Sequence, residues 1–510
     1  MMRSILLAGA CLAASPAFAQ HHDQAMDGPQ PLLEGYGNGG WTITTDVPEA
    51  QAYFSNAMEL AHAFAHQKAI DAARRAVELD PNCAMCLWAD AYTSGPTINY
   101  TVDAERTEEN RLKVARAKEL AAASGTELER DLITALEHRD YDGGGRAEGD
   151  KRFAQAMQHL AVKYPKVEPV MTLTAAAIMN GPVGEDETFS GLVAPAVPYL
   201  EWALVLDPDS TGAIHYYVHA TEIVGEPEKS VAAAEKLPIL APRASHLVHM
   251  PSHVFYWVGR YQDAADVNLA AVNIGISEAE ALGLDPNEGV WGLPYHVHNV
   301  VFGLGGALMA DDAKTSLELG MPLVEHSRDA EEASFHRQTV AGAGYFAVAR
   351  YSPLEETMAM EAPKLPFLKA LYHYARGEAL ARAGDLDGVK AELAEMPADG
   401  IGERSRQDFS LLANQTLDIA YRVLSGRVAM MEGRNEESYD LFLEAAEIQE
   451  GEPYKFLADP PLWWFPVRRE TAAAKLAMGD VEGAQAEIAR ALEVRPLDPV
   501  AMAMSGNVAD

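Results

Sequence analysis

The stretch ARGEALARAGDLDGVKAEL, residues 375–393, decides the fold. An alanine-rich apolar pattern of helical period runs to Gly384, an acid follows at Asp385, and a second helical pattern begins at once. The same order recurs, with an acidic or polar residue after the glycine, in SGRVAMMEGRNEESYDLFLEA (425–445) and AAAKLAMGDVEGAQAEIARAL (472–492). Each unit is a helix, a glycine turn and a second helix with small residues facing the first. The endings VELDP (77–81), LVLDP (204–208) and LEVRP (492–496) mark further repeats. One such hairpin cannot bury its own apolar face, whereas stacked hairpins can. The sequence therefore predicts an all-α protein, a right-handed α-solenoid of tetratricopeptide-like hairpins over residues 45–505, with a concave inner surface.

The two ends are read differently. Residues 1–19, MMRSILLAGACLAASPAFA, combine Arg3, a short apolar core and Ala17-Phe18-Ala19, the pattern of a secretory signal peptide cleaved near Ala19. The expected location is periplasmic or secreted. Residues 20–44 carry PQP and GNGG and read as a flexible lead. Cleavage would leave Gln20-His21-His22 at the terminus, a candidate square-planar copper or nickel site. No later stretch reaches about 18 uninterrupted apolar residues, so no membrane span is expected. A net charge of −35 argues against nucleic acid and anionic lipid as partners.

Two cysteines remain after such cleavage, Cys83 and Cys86. Their CxxC spacing at a helix start leaves three readings open: a local disulfide, a metal site or free thiols. The aromatic cluster Trp463-Trp464-Phe465 reads as packing. The chain shows no GxSxG, Walker or Rossmann glycine pattern.

The histidines carry the functional signal. STGAIHYYVHATEIVG (210–225) holds His215 and His219, four apart, with Glu222 three further on. ASHLVHMPSHVFYW (244–257) holds His246, His249 and His253. The pair His249/His253 repeats His215/His219 at an offset of 34, one repeat length. On helices turning about 100° per residue, each pair shares a face. Packed helices lie ~8–10 Å apart, within reach of one shared ion. Neutral imidazole is the commonest metal ligand, and a carboxylate suits zinc, iron or manganese beside it. HYYVH lacks the glutamate base of the HExxH zinc proteases. Pro251 is expected to delay or kink its helix, moving His246 and His249 off the ideal face. His62 and His66 form another pair, placed far along the solenoid unless its curvature returns them.

Several motifs together resemble a family of secreted bacterial tetratricopeptide proteins. They are LDPNCAMCLW, GPTIN, HYYVH, HLVHMPSH, YHVHN and PPLWWFPVR, spread over nearly the whole mature chain. The resemblance implies that His215, His219, Glu222, His246, His249, His253 and His298 form a site, with Asn299 beside it. It also implies that the histidine positions line the concave groove. The chain departs from the pattern at Val301, where the family has a second histidine after HN. It departs again at GPVGEDETFS (181–190), where a tryptophan-rich loop is expected. No activity follows from the resemblance. Three functions remain: an exported binding protein holding a transition metal (zinc, copper or iron) in a histidine-lined groove, a hydrolytic or oxidative metalloenzyme using the same cluster, and a metal-free scaffold docking a peptide or protein.

Overall fold

A computed structural model describes residues 31–97, 101–139, 145–184, 188–456 and 460–509. The proposed signal peptide and the Gln20-His21-His22 terminus lie outside them. Among the described residues every regular element is a helix and there is no β-strand. Helices next to each other in sequence pack on each other, as in a solenoid. The chain divides into two compact units. The first holds the described residues up to Val254, with Asn273–Gly283 and Gly289–His296. The second holds Phe255–Val272, Leu284–Glu288 and Val297 onward.

The repeated turn has a local cause. Gly384 ends the helix Pro366–Ala383 at φ 78°, a left-handed conformation that glycine adopts without steric cost. Asp385 then caps the helix Leu386–Ala394 by accepting from the Gly388 amide at 3.0 Å. Gly479 at φ 76° and Asp480, accepting from Gly483 at 2.9 Å, repeat the device. A cap of this kind contributes about 1 kcal/mol. The LDP endings work similarly: Asp80 and Asp207 accept from the amides two residues on, at 3.1 and 3.0 Å.

In the first unit, Pro48–His62 packs on His66–Leu79, and that helix on Ala84–Thr93. Alanines fully removed from solvent, among them Ala57, Ala73 and Ala76, let these helices approach closely. Cys83 and Cys86 are joined by a disulfide at the start of Ala84–Thr93. Among the described residues, the stretch Phe189–Leu206 is long and apolar enough to cross a membrane. Here its Val193, Ala196 and Leu200 are fully buried in a core shared with Ala175, Tyr216 and Tyr217.

Residues 31–44 contain no helix, and several of their groups are hydrogen-bonded to the rest of the first unit. Asn56 clasps both the amide and the carbonyl of Leu33, at 2.9 and 2.8 Å. Asn38 exchanges hydrogen bonds with Thr211, and the Arg243 amide donates to the Gly35 carbonyl. Tyr36 and Ile43 are buried. The segment is a strap along the first unit, its backbone groups satisfied by side chains rather than by a helix.

In the second unit, Ser410–Met431, Asn435–Glu450, Arg468–Ala477 and Val481–Val494 follow one another, each packed on the next. Trp463, Trp464 and Phe465 are buried there, and Trp463 makes an edge contact with Phe346 at 5.1 Å.

Candidate metal centre

Ser210 starts the site. It caps the helix Thr211–Ile223 by accepting from the Ala213 amide at 3.2 Å. That helix carries His215, His219 and Glu222 on one side and sends Tyr216 and Tyr217 into the apolar core. The other candidate residues come from two short helical segments, Ser245–His249 and Pro251–Trp257. Pro251 breaks the run as expected, but the break does not scatter the histidines. His246, His249 and His253 all return to the cluster.

The geometry is tight. His215 Nε2 and His246 Nε2 are 3.1 Å apart, and His249 Nε2 and His253 Nε2 are 2.9 Å apart. The His219 ring lies 5.0 Å from both the His215 and the His253 rings, centroid to centroid. His215, His219 and His246 each place one nitrogen within 4.8 Å of the others, and so do the ligand atoms of His219, Glu222 and His253. Two further contacts fix the tautomers. His215 Nδ1 lies 2.5 Å from the His62 carbonyl, which can only accept, so Nδ1 carries the proton. His253 Nδ1 likewise donates to Glu222 Oε2 at 2.8 Å. Both rings therefore turn a bare Nε2 lone pair into the cluster. Bonds of ~2.0–2.1 Å to a tetrahedral ion would set ligand nitrogens ~3.3 Å apart. The two Nε2 pairs are close to that edge before any adjustment.

Burial is the main difference from the sequence reading. The five histidines are 0–3% exposed, and the Glu222 side chain is 9% exposed. They do not line an open groove. The strap residue Asn38 pins Thr211, and two aromatic rings cover the imidazoles. Phe64 lies 4.3 Å from His215 and 5.3 Å from His246, and Tyr295 lies 4.2 Å from His246. Phe64 holds φ at 53°, a strained conformation for a bulky residue. It turns the chain between Pro48–His62 and His66–Leu79 and drives its ring onto the cluster. Burial pulls the His215 pKa down to about 3, so this imidazole stays neutral and able to coordinate.

The separation expected for His62 and His66 is also corrected. His62 supplies the carbonyl that orients His215, and the His66 ring stacks on Phe64 at 5.3 Å. Gly212 makes this approach possible. A β-carbon there would fall 2.5 Å from His62 Nδ1. Sequence reasoning missed Phe64, Tyr295 and the role of His62. The one signal available was the HAFAH spacing of His62 and His66. His298 and Asn299 belong to the second unit, on the helix His296–Met309. The 181–190 loop is described only in part, residues 185–187 lying outside.

No family model matches the chain, and no curated protein does. Among solved structures, the chain is similar to the Cut9–Hcn1 hetero-tetramer of the APC/C, at 10% identity and TM-score 0.29, over 90% of this chain and 76% of that one. It is similar to the human IFIT1 dimer with m7Gppp-AAAA, at 10% identity and TM-score 0.32, over 89% and 91%. It is also similar to yeast Tom70, at 10% identity and TM-score 0.27, over 91% and 88%. The all-α fold rests on this chain's own helices and their packing, and these likenesses add nothing to it.

Proposed function

We propose that this helical-repeat protein binds a transition metal ion in the buried histidine cluster of its first unit. The paired Nε2 atoms carry the proposal, at 3.1 and 2.9 Å, with the Nδ1 protons of His215 and His253 engaged behind them. Zinc, copper and iron all accept imidazole with a carboxylate alongside. Five imidazoles and one carboxylate exceed the three protein ligands plus water of a catalytic zinc site. That supports a binding role over a hydrolytic or oxidative one. A metal-free peptide-docking groove fits less well, because side chains 0–3% exposed offer a docking peptide almost no surface. The Cys83–Cys86 disulfide supports an oxidising compartment, in keeping with export after cleavage near Ala19.

Elemental analysis of full-length protein purified without a polyhistidine tag, before and after loading with each metal, tests this reading. The expected result is a stoichiometric content of one metal that survives gel filtration. Metal at background level after loading would refute it.

A further inference from the structure

Three histidines of the cluster differ in what stands behind the ring. His215 and His253 are backed by fixed acceptors. The His62 carbonyl takes the Nδ1 proton of His215 at 2.5 Å, and the Glu222 carboxylate takes that of His253 at 2.8 Å. A carbonyl cannot donate, nor can an ionised carboxylate, so both rings keep an unprotonated Nε2. His249 is backed differently. Its Nδ1 lies 3.3 Å from the Ser252 hydroxyl, and a hydroxyl can either donate or accept.

The placement of Ser252 follows from the break in its helix. His249 ends Ser245–His249, and Pro251 opens Pro251–Trp257. Proline has no amide to contribute and suits a first helical position. Ser252 then comes three residues after His249, close to one turn on, which brings its hydroxyl to the His249 side. Ser252 is 1% exposed and His249 0% exposed. A hydroxyl removed from water needs a polar partner, and the His249 ring supplies one.

Hydrogen-bond chemistry fixes the metal-free state. His249 Nε2 lies 2.9 Å from His253 Nε2, which carries no proton. A hydrogen bond between them places the proton on His249 Nε2. His249 Nδ1 is then bare and accepts from the Ser252 hydroxyl. Coordination through His249 Nε2 needs the other tautomer. One proton leaves Nε2, one arrives at Nδ1, and the ring stays neutral.

We propose that Ser252 is the positioning residue of His249. Its hydroxyl donates to Nδ1 in the metal-free protein and accepts from Nδ1 when the ring holds an ion. The proposal rests on the metal reading above and adds how one ring of a buried pair serves both states. A fixed acceptor in place of Ser252 would hold His249 Nε2 bare as well, setting two lone pairs 2.9 Å apart without an ion between them. A partner that accepts the second ring proton of a metal-bound histidine also holds the ring in place and raises its basicity.

The test uses full-length protein with isotope-labelled histidine, metal-free and loaded. Nitrogen NMR, with the His249 signals assigned by comparison with His249→Gln, should find the ring proton on Nε2 in metal-free wild type and on Nδ1 after loading. Ser252→Ala should weaken metal affinity about tenfold in competition with a chelator. The number of coordinated nitrogens, read by X-ray absorption, should not change. Ser252→Thr keeps the hydroxyl and should restore the affinity; if that variant fails to fold, the proton shift in wild type decides. A serine that only fills space would alter the melting temperature and leave both the affinity and the tautomers alone. Wild-type affinity in Ser252→Ala, an equal loss in folded Ser252→Thr, or a His249 proton on the same nitrogen in both states would each overturn the proposal. Any of these in a wild type that loads metal refutes the role of Ser252 alone. A wild type that takes up no metal refutes the metal reading and this proposal together.

Discussion

The two units use one hairpin design and bury polar groups in opposite ways. In the second unit the buried charges close on each other. Arg469, 5% exposed, holds Asp498, 0% exposed, through two hydrogen bonds of 2.5 and 2.6 Å. Arg468 reaches Glu450 twice at 2.7 Å and Glu487 at 2.9 Å. Both guanidiniums are held by carboxylates, which makes a rigid joint. In the first unit five imidazoles are buried together, and two of them turn an unprotonated nitrogen to a neighbouring ring. Two bare Nε2 atoms, on His215 and His253, have no proton of their own to offer. The proposed ion would complete that arrangement, whereas the Arg468 and Arg469 ion pairs are already closed. The contrast separates polar burial that holds a fold from polar burial that prepares a site.

The largest expected effect breaks the first half of the comparison. Replacing His219 and His253 together with Ala removes ligands from both three-residue groups, and metal uptake should fall from stoichiometric to background. The histidines are buried, so the melting temperature should also drop, because each truncation leaves a cavity. Helicity by circular dichroism should persist. A double variant that keeps its full metal content would show that the cluster is packing only.

Next comes the second half. Asp498→Ala strands the Arg469 charge inside the protein and should cost about 3–5 kcal/mol in chemical denaturation, independent of added metal. The exposed pair Lys236–Asp209 provides the control. Asp209→Ala should change stability by less than about 1 kcal/mol. Equal losses from the two substitutions would erase the distinction drawn for the second unit.

Acid should act on the first unit. Burial lowers the pKa of His62 from 6.5 to about 4 and that of His215 to about 3. The unfolded chain takes up these protons below pH 6.5, while the native state refuses them until about pH 4. Their stabilising contribution is thus complete above pH 6.5 and is lost as pH falls toward 4. The slope is at most about 1.4 kcal/mol per pH unit for each histidine. Denaturation of metal-free protein from pH 7 to 4.5 measures it. A flat profile in that window would mean that these rings are hydrated in solution.

Much of this was legible in the sequence, for a local reason. A left-handed glycine followed by a capping aspartate, as at Gly384-Asp385, acts within one turn and leaves its mark in adjacent letters. The histidine register was legible because helical period is local too, and the 34-residue offset carried it from one hairpin to the next. What was not legible depends on distance. His62 meets His215 across 153 positions, and Asn38 meets Thr211 across 173. Nothing near Asn38 marks the strap, whose glycines suggest looseness instead. Phe64 sits in a conformation that sequence rules reserve for glycine or asparagine, so its turn carried no signal. The burial of the histidines was not legible for the same reason: the Phe64 ring that covers His215 comes from a distant part of the chain.

The smallest effect sharpens the site itself. Glu222 admits two roles: its Oε2 accepts from His253 Nδ1, and it also belongs to a group close enough to bind an ion with His219 and His253. Glu222→Gln separates them. An amide keeps the size and one carbonyl oxygen, so it still accepts from Nδ1–H and holds the His253 tautomer. It loses the negative charge that raises the basicity of the ring behind it. If Glu222 only orients His253, metal affinity should weaken by about 10- to 100-fold while stoichiometry and the number of coordinated nitrogens stay unchanged. X-ray absorption at the metal edge reads the ligand set, and competition with a chelator reads the affinity. The 2.8 Å contact and the 1% exposure of His253 favour this orienting role, since that carboxylate oxygen is already committed to the imidazole proton. An unchanged affinity would remove Glu222 from the site. Loss of an oxygen ligand in the absorption spectrum would instead make it a ligand in its own right, and His253 would then be held by the metal rather than by the carboxylate.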